Sequence, residues 1–201
     1  MKLVLATNNK DKVKEMKAIL ASRFDEILTL DDLKINHGTI EDGKDFYENS
    51  YKKAKEICDI CHMPTLADDS GLCIDALDGA PGLYSARFAG VEHNYLKNNE
   101  KVLELLKGET NRKAHFTTIV TVCFPDGRKV VAKGEAHGHI VEEYSGDKGF
   151  GYDPIFYSDE LKMTFAKAGE DAKNHVSHRY HALMNLLKEL EKFEEDNSNK
   201  W

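Results

Sequence analysis

The start of the sequence constrains its fold most strongly, because a strand pattern passes there directly into a helix pattern. Lys2–Thr7 is typical of a buried strand, and it ends in the polar turn Asn8-Asn9. Lys10–Ala21 then places apolar side chains at helical spacing. A strand that leads straight into a helix is the building unit of α/β proteins. We therefore expect an α/β fold.

The rest of the chain predicts that helices and strands alternate at first and that later strands follow each other directly through a turn. This order indicates an α/β fold around a mixed β-sheet flanked by helices. The predicted elements after the first helix are a helix at 45–61, strands at 65–67 and 72–77, a helix at 95–107, strands at 113–124 and 128–141, and a last helix.

The last helix is predicted to end the folded domain. Its apolar face would be formed by one row of side chains, namely Val176, Leu183, Leu186, Leu187 and Leu190. Residues 194–201 are predicted to form a frayed tail. A length of 201 residues fits one domain with an ample core, so we expect residues 1–193 to form a single domain.

Composition excludes several classes of protein. The formal net charge is −7 and no block of lysine and arginine stands out, so a nucleic-acid-binding face is not expected. No charged start precedes a long apolar run, so neither a signal peptide nor a membrane span is predicted. The four cysteines are too few and too unevenly spaced for a disulfide framework, which favours the reducing cytoplasm.

Two polar segments in the first quarter of the chain are candidates for binding phosphate. Thr7-Asn8-Asn9-Lys10-Asp11-Lys12 lies at a strand-to-helix junction, where backbone N–H groups attract phosphate. The same residues could form a plain helix cap with solvated lysines. Glu41-Asp42-Gly43 precedes the helix that contains Lys53, which suits a metal ion with phosphate above it. A charged surface helix has the same pattern.

Asp68-Asp69-Ser70-Gly71 gives the strongest signal for chemistry, since it follows a short apolar strand. Neighbouring carboxylates repel each other unless a cation or hydrogen bonds offset the repulsion. Oxygen-rich sites of this kind suit Mg²⁺, which keeps several waters and shares the phosphates of its substrate. An Asp-rich turn is the alternative interpretation.

The last candidate segments combine an aromatic ring with hydrogen-bond donors. Phe150 stands between Gly149 and Gly151, so no neighbouring side chain crowds its ring and a nucleobase could stack on it. His178 and Arg179 can donate hydrogen bonds to an exocyclic oxygen. The alternative is a turn followed by a solvated helix start.

Together these segments resemble the HAM1-like family of inosine and xanthosine triphosphate pyrophosphatases. The matching segments follow the family's order and span nearly the whole chain. They are Leu5–Lys12, Glu41-Asp42-Gly43 with Phe46, Glu48 and Asn49, Ala67–Leu72, Gly79–Arg87, Gly149–Pro154 and Ser177-His178-Arg179.

The resemblance implies a twisted mixed sheet, two lobes around a nucleotide cleft, and a homodimer. By matching positions, Glu41 and Asp69 would hold Mg²⁺, Asp69 would also activate the attacking water, and Asp68 would support the acidic site. The implied substrate-binding residues are Thr7, Asn8, Asn9, Lys10, Asp11, Lys12, Lys53 and Lys173 for the triphosphate, Ser70 for a further contact, and Phe150, Gly151, Tyr152, Asp153, His178 and Arg179 for the base.

The activity implied by the resemblance is magnesium-dependent hydrolysis of deaminated purine triphosphates, those of inosine, deoxyinosine and xanthosine. Water would attack the α-phosphorus, and pyrophosphate would leave with its charge spread over metal and lysines. Donors aimed at O6 would select a 6-oxo purine, because adenine leaves each such donor unpaired at a cost of roughly 1–3 kcal/mol. Such an enzyme would cleanse the nucleotide pool of the cytoplasm.

Rival interpretations remain at this point. A Maf-like pyrophosphatase shares the architecture, although Phe150–Pro154 and Ser177–Arg179 argue against it. A nucleotide-binding regulator without turnover would need no water-activating carboxylate such as Asp69. Cys58-x-x-Cys61 could be a redox or zinc pair, but it lies inside a predicted helix. His137-x-His139 could place two imidazoles on one strand face, with no third ligand evident.

Overall fold

Seven strands form one sheet in the part of the chain that the structure, a computed structural model, describes, which is residues 1–198. The strands are β1 (Lys2–Leu5), β2 (Glu26–Thr29), β3 (Thr65–Ile74), β4 (Lys113–Cys123), β5 (Lys129–Ile140), β6 (Phe156–Ser158) and β7 (Met163–Thr164). Their order across the sheet is β2-β1-β3-β4-β5-β6-β7. β1 is parallel to β2 and β3, whereas β6 is antiparallel to β5 and β7, so the sheet is mixed.

The sheet is accompanied by helices, as the sequence predicts. Within the described residues the α-helices are α1 (Lys10–Leu20), α2 (Phe46–Cys61), α3 (Tyr95–Leu105), α4 (Phe165–Ala168), α5 (Glu170–Lys173) and α6 (His178–Ser198). Asp45 caps the start of α2, since its Oδ1 accepts a hydrogen bond from the Glu48 N–H at 2.8 Å. The predicted mixed sheet flanked by helices is confirmed.

Two compact units make up the described chain. The first unit consists of Met1–Asp69, Thr118–Gly134 and the chain from Arg179 onward, and the second unit of Ser70–Thr117 and Glu135–His178. β3, β4 and β5 each contribute residues to both units. The chain passes from one unit to the other between Asp69 and Ser70, and again between His178 and Arg179.

The main core of the first unit joins β1, α1 and α6. Leu3 and Leu5 of β1 are fully buried in one cluster with Met16 of α1 and with Leu183 and Leu186 of α6. Burying each such side chain stabilises the fold by about 1.5–3 kcal/mol. The apolar residues predicted for these two helices therefore fix α1 and α6 against the first strand of the sheet.

The core of the second unit contains a group of packed aromatic rings. The ring of Phe116 in β4 lies 4.7 Å from that of Phe156 and 6.0 Å from that of Phe165. Val176 packs against the same cluster. The prediction that Val176 belongs to the apolar face of the last helix is wrong, because α6 begins only at His178. Its hydrophobic partners come from the second unit instead.

The prediction of two strands separated by a polar turn is wrong for the segment after α2. β3 runs without interruption from Thr65 to Ile74, so Asp68-Asp69-Ser70-Gly71 lies inside a strand. Buried cations described below neutralise the acidic pair and allow the strand to continue. The strands β2, β6 and β7 were not predicted, because two to four residues are too few for a recognisable alternation.

The last helix is longer than the sequence predicts. α6 continues to Ser198, so residues 194–198 belong to the helix, which suits the helix-forming glutamates at its end. The final part of the predicted tail, 199–201, lies outside the described residues. None of the helices in the described chain combines the length and the apolar character needed to cross a membrane.

Candidate functional site

Asp68 and Asp69 lie side by side in β3, in the first unit. Both are buried, with 1% and 8% of their surface exposed. Because successive side chains of a strand point to opposite faces, the two carboxylates have different neighbours. Asp69 contacts residues of α2, and Asp68 contacts residues of α1 and α6.

The Asp69 carboxylate shares a lysine with Glu41. Lys53 Nζ lies 3.2 Å from Glu41 Oε1 and 3.9 Å from Asp69 Oδ1. Asp69 Oδ2 accepts a hydrogen bond from Asn49 Nδ2 at 2.9 Å. Burial raises the pKa of Asp69, and Lys53 only partly offsets this. The structure therefore brings together the two carboxylates that were predicted to bind a metal and one of the predicted phosphate lysines.

Asn49 holds the loop that contains Glu41 beside β3. Its Oδ1 accepts a hydrogen bond from the Gly43 N–H at 2.8 Å, while its Nδ2 donates to Asp69. A Cβ at position 43 would lie 2.5 Å from Asn49 Oδ1. This close approach requires the glycine of the Glu41-Asp42-Gly43 motif, because any side chain there would displace the Asn49 amide.

Asp68 lies between two cations. Lys12 Nζ is 3.2 Å from Asp68 Oδ1, and Arg179 Nη2 is 3.1 Å from Asp68 Oδ2. Burial alone would raise the pKa of Asp68, but the positive charges of Lys12 and Arg179 outweigh it and hold that pKa well below its usual range. Burial lowers the pKa of Lys12, and the charge of Asp68 opposes this. Asp68 thus aims Lys12 and stays ionised.

Arg179 has carboxylates around it in place of the predicted nucleobase. The guanidinium is 1% exposed. Its Nε and Nη2 donate to Asp68, and its Nη1 donates to Glu15 of α1. Glu15, a buried acid, is not among the predicted site residues. Contact of Arg179 with the edge of the base stays a prediction.

The start of α1 is a capped helix terminus. The Asn9 side chain accepts hydrogen bonds from the N–H groups of Asp11 and Lys12 at 3.0 and 3.2 Å, and the Asn9 N–H donates to Thr7 Oγ1 at 3.1 Å. Two of the N–H groups predicted to attract phosphate therefore bind the cap. Asn8, Lys10 and Asp11 are exposed, and Lys12 alone of this segment reaches the acidic pair.

A second group of predicted site residues comes together in the second unit. Lys173 Nζ lies 2.7 Å from Asp153 Oδ2, and both side chains are 3% exposed. The same ammonium group lies 4.4 Å from the centroid of the Phe150 ring. A desolvated cation–π contact contributes about 2 kcal/mol. Lys173, predicted to hold the triphosphate, is therefore grouped with two residues predicted to bind the base.

The loop around Phe150 depends on one glycine and one buried hydroxyl. Gly149 has φ +76°, and a Cβ there would lie 2.2 Å from Asp153 Oδ2. That oxygen accepts the Phe150 N–H at 3.0 Å. The Tyr152 hydroxyl donates to the Ser85 carbonyl at 2.6 Å, and burial raises the pKa of Tyr152. Tyr152 thus anchors the loop inside the fold.

His178 and Ser70 complete the predicted set. The buried imidazole of His178 stacks on Phe116 with 4.5 Å between centroids and 12° between planes. Ser70 is half-buried in β3.

The donors around Asp69 fit a magnesium ion. Mg²⁺ is usually bound through one or two carboxylates, several waters and the phosphates of a substrate. Glu41 and Asp69 supply two carboxylates that already share one cationic group, Lys53. No group of three or more His, Cys, Asp or Glu side chains in residues 1–198 is arranged to hold a metal. An ion here would therefore be completed by water and substrate oxygens.

Comparison with known proteins assigns the chain to a family. The model of the Ham1 family matches residues 3–189. The chain belongs to the Ham1 family. A dITP/XTP pyrophosphatase of Clostridium perfringens is 47% identical to this Ham1 protein over 197 residues, covering 94% of this chain and 97% of the relative. One of Desulfotalea psychrophila is 45% identical over 187 residues, covering 93% and 84%. The predicted family and enzyme class are confirmed.

Solved structures agree with this assignment. The Ham1 protein of Staphylococcus aureus matches with a TM-score of 0.85 at 36% identity, and it covers 96% of this chain and 99% of its own. A HAM1 protein from Coxiella burnetii matches with a TM-score of 0.85 at 34% identity and the same coverage. The Ham1 fold of this chain is therefore confirmed.

The structure disfavours a redox or zinc role for the cysteines. Cys58 is a free, buried thiol in the last turn of α2, and Cys61 ends that helix. Burial raises the pKa of Cys58 and raises that of Cys123 to about 11. Reactive and metal-binding cysteines have lowered pKa values, so these two thiols are structural.

Thiol labelling tests this conclusion. At pH 8 Cys123, with a pKa of about 11, is only ~0.1% thiolate, and burial raises the pKa of Cys58 as well, so both should react far more slowly than the partly exposed Cys61 and Cys73. Mass spectrometry of peptides after timed alkylation measures each rate, and urea-unfolded protein is the control in which all four react. Fast labelling of Cys58 in the folded protein would contradict the structural role.

Two residues of the site were not assigned from the sequence. Asn49 precedes Lys53 by four residues, and Glu15 follows Lys12 by three, so each shares a helix face with a predicted lysine. That spacing is the signal that could have identified them. Sequence alone could not show that these faces point inward, because both helices also contain many exposed charges.

Proposed function

We propose that this Ham1 protein hydrolyses the triphosphates of inosine, deoxyinosine and xanthosine to the nucleoside monophosphate and pyrophosphate. The observation that supports this most directly is the charge arrangement of the first unit. There Lys53 contacts Glu41 and Asp69, and Lys12 contacts Asp68. The substrate class is supported by the dITP/XTP pyrophosphatases to which the chain is similar.

The lysines bind and orient the triphosphate. A protein with a net charge of −7 attracts a polyanion poorly over long distances, so the charges that bind it must be local and aimed. Asp68, itself fixed by Arg179, holds Lys12 in place, and Glu41 holds Lys53. Both ammonium groups can move from carboxylate to phosphate oxygens, which neutralises the leaving pyrophosphate.

Glu41 and Asp69 would hold a magnesium ion. When bound, the ion would neutralise the negative charge that builds up on the phosphate oxygens. Asp69 accepts the proton of the attacking water, and Asn49 keeps its carboxylate in one orientation. Because phosphoryl transfer needs little covalent help, positioning and charge neutralisation by these side chains provide most of the rate enhancement.

The second unit supplies the residues for the base. Phe150 offers a ring for stacking, and its other face lies near the Lys173 ammonium group. Asp153, fixed by Lys173, is a carboxylate that can accept an N–H of a 6-oxo purine. His178 stays a proposed donor to the base edge. Arg179 is left out of base recognition, because its Nε and Nη2 donate to Asp68 and its Nη1 donates to Glu15.

Isotope labelling tests the position of attack. In H₂¹⁸O with Mg²⁺, we expect deoxyinosine triphosphate to yield monophosphate and pyrophosphate in equal amounts, with the label in the monophosphate, because the α-phosphorus accepts the water oxygen. Label in pyrophosphate would mean attack at the β-phosphorus. Release of orthophosphate with a diphosphate would mean γ-attack and would contradict the pyrophosphatase proposal.

Two further properties belong to the same proposal. Chelation should abolish turnover and Mg²⁺ should restore it, if Glu41 and Asp69 hold the ion. We also propose that the protein is a cytoplasmic homodimer. Light scattering of the purified protein tests its oligomeric state.

A panel of nucleotides assayed for pyrophosphate release separates the proposed function from its two rivals. A Maf-like pyrophosphatase would prefer other bases, and a regulator would bind nucleotide without turnover.

A further inference from the structure

Helix α3 contacts the loop that the proposed function assigns to the base. Asn99 Nδ2 donates a hydrogen bond to the Gly151 carbonyl at 3.0 Å. The ring of Tyr95 lies 6.1 Å from the ring of Phe150 at an angle of 45°. Tyr95 and Asn99 are four residues apart and so share one face of α3. This face therefore contacts both Phe150 and the residue that follows it.

Local hydrogen bonds also close the loop around Phe150. Asp153 closes it locally, since its carboxylate accepts the Phe150 N–H and its own N–H donates to the Phe150 carbonyl at 3.2 Å. Gly151 has φ +61° and open space where a side chain would be. Since no side chain at Gly151 can restrain the turn, the bond from its carbonyl to Asn99 restrains the loop between Phe150 and the hydroxyl anchor of Tyr152.

The environment of Asn99 indicates that its role in the fold is the hydrogen bond to the Gly151 carbonyl. Its side chain is 3% exposed. Within the described residues, Asn99 Oδ1 is buried and has no hydrogen-bond partner. Burying an amide with half of its hydrogen bonds unmade lowers stability. An apolar side chain at this position of α3 would avoid that penalty but could not hold the Gly151 carbonyl.

We propose that Asn99 is a positioning residue for base recognition. By fixing the Gly151 carbonyl it sets where the Phe150 ring lies, and so it determines affinity for the base and discrimination between bases. The inference rests on the proposed function, since it assumes that a 6-oxo purine stacks on Phe150. Asn99 itself need not touch the substrate.

Kinetics of Asn99→Ala test the inference. Loss of one hydrogen bond corresponds to a factor of about 2–10, so we expect KM for deoxyinosine triphosphate to rise by about that factor while kcat changes little. The ratio of kcat/KM between deoxyinosine and deoxyadenosine triphosphates should fall as well. A variant that is merely less folded would lose apparent kcat and keep both KM and the ratio. Unchanged KM and ratio would overturn the proposal.

Asn98→Ala is the matched control. Asn98 is equally buried on α3, but its amide binds the backbone of Ser85, Ala86 and Ala89, at 3.4, 3.1 and 2.8 Å, instead of Gly151. It should leave KM and base discrimination unchanged. An equal effect of both substitutions would mean that α3 acts only through general packing, and this would contradict the role of Asn99.

Hydrogen exchange provides a measurement that does not depend on activity. In Asn99→Ala, and in the isosteric Asn99→Asp, the amides of Phe150 and Asp153 should exchange about 2–10 times faster than in the unsubstituted protein. Unchanged exchange would overturn the positioning role. If the unsubstituted protein released no pyrophosphate from deoxyinosine triphosphate, the proposed function would fail, and the exchange measurement would still decide whether Asn99 holds the loop.

Discussion

Asp69→Asn is expected to lower turnover on deoxyinosine triphosphate by at least ~100-fold, the scale of a positioned general base. The substitution keeps the size of the side chain and an oxygen that can accept from Asn49. It removes the charge that would bind Mg²⁺ and the site that accepts a proton from water. Initial rates of pyrophosphate release at saturating Mg²⁺ and substrate measure the loss.

The stability of the same variant separates chemistry from folding. Because burial raises the pKa of Asp69, its ionised form at neutral pH costs folding free energy. Asp69→Asn should therefore unfold at the same temperature as the unsubstituted protein or higher. Asp59→Asn is the control, since this exposed acid on α2 pairs with Lys55 on the same helix. Near-normal turnover in Asp69→Asn would show that another group activates the water.

Among single substitutions at this site, Arg179→Met is expected to lower the free energy of unfolding most. It removes the cation that pairs with the buried carboxylate of Glu15 and one of the two cations that pair with Asp68, which keeps Lys12. Breaking a buried ion pair from one side destabilises a protein by about 3–5 kcal/mol. The midpoint of urea unfolding should fall accordingly. Arg128→Met is the control, because its pair with Asp126 is exposed and screened by solvent, so that its loss should change stability little.

The double variant Glu15→Met with Arg179→Met identifies the cause. It should recover part of the stability lost in Arg179→Met, because the unpaired charge of Glu15 is removed together with its partner.

The single variant Arg179→Met also tests base recognition. Its rates of hydrolysis of inosine triphosphate and adenosine triphosphate should fall by a similar factor. A much larger loss on inosine triphosphate would show that Arg179 leaves its carboxylates and reads the base after all.

Local patterns predicted much of the fold. The predicted bounds of α1, α2 and β4 agree with the structure within two residues, because each spans several periods of its helix or strand and ends in a cap or turn. β2, with four residues, gave no such pattern and exists because its backbone pairs with β1. β3 was split, because the polar run around Asp69 is usual in a turn.

The sequence by itself determined the α/β class, the family and the acidic pair with its lysines, since motif order and periodicity are local properties. Only the tertiary structure decided which charges meet. Arg179 pairs with Glu15 and Asp68, which are 164 and 111 residues away in the chain. A buried guanidinium takes whichever carboxylates the packing brings to it, because an unpaired charge in the core is too costly. Local sequence does not record those distant neighbours.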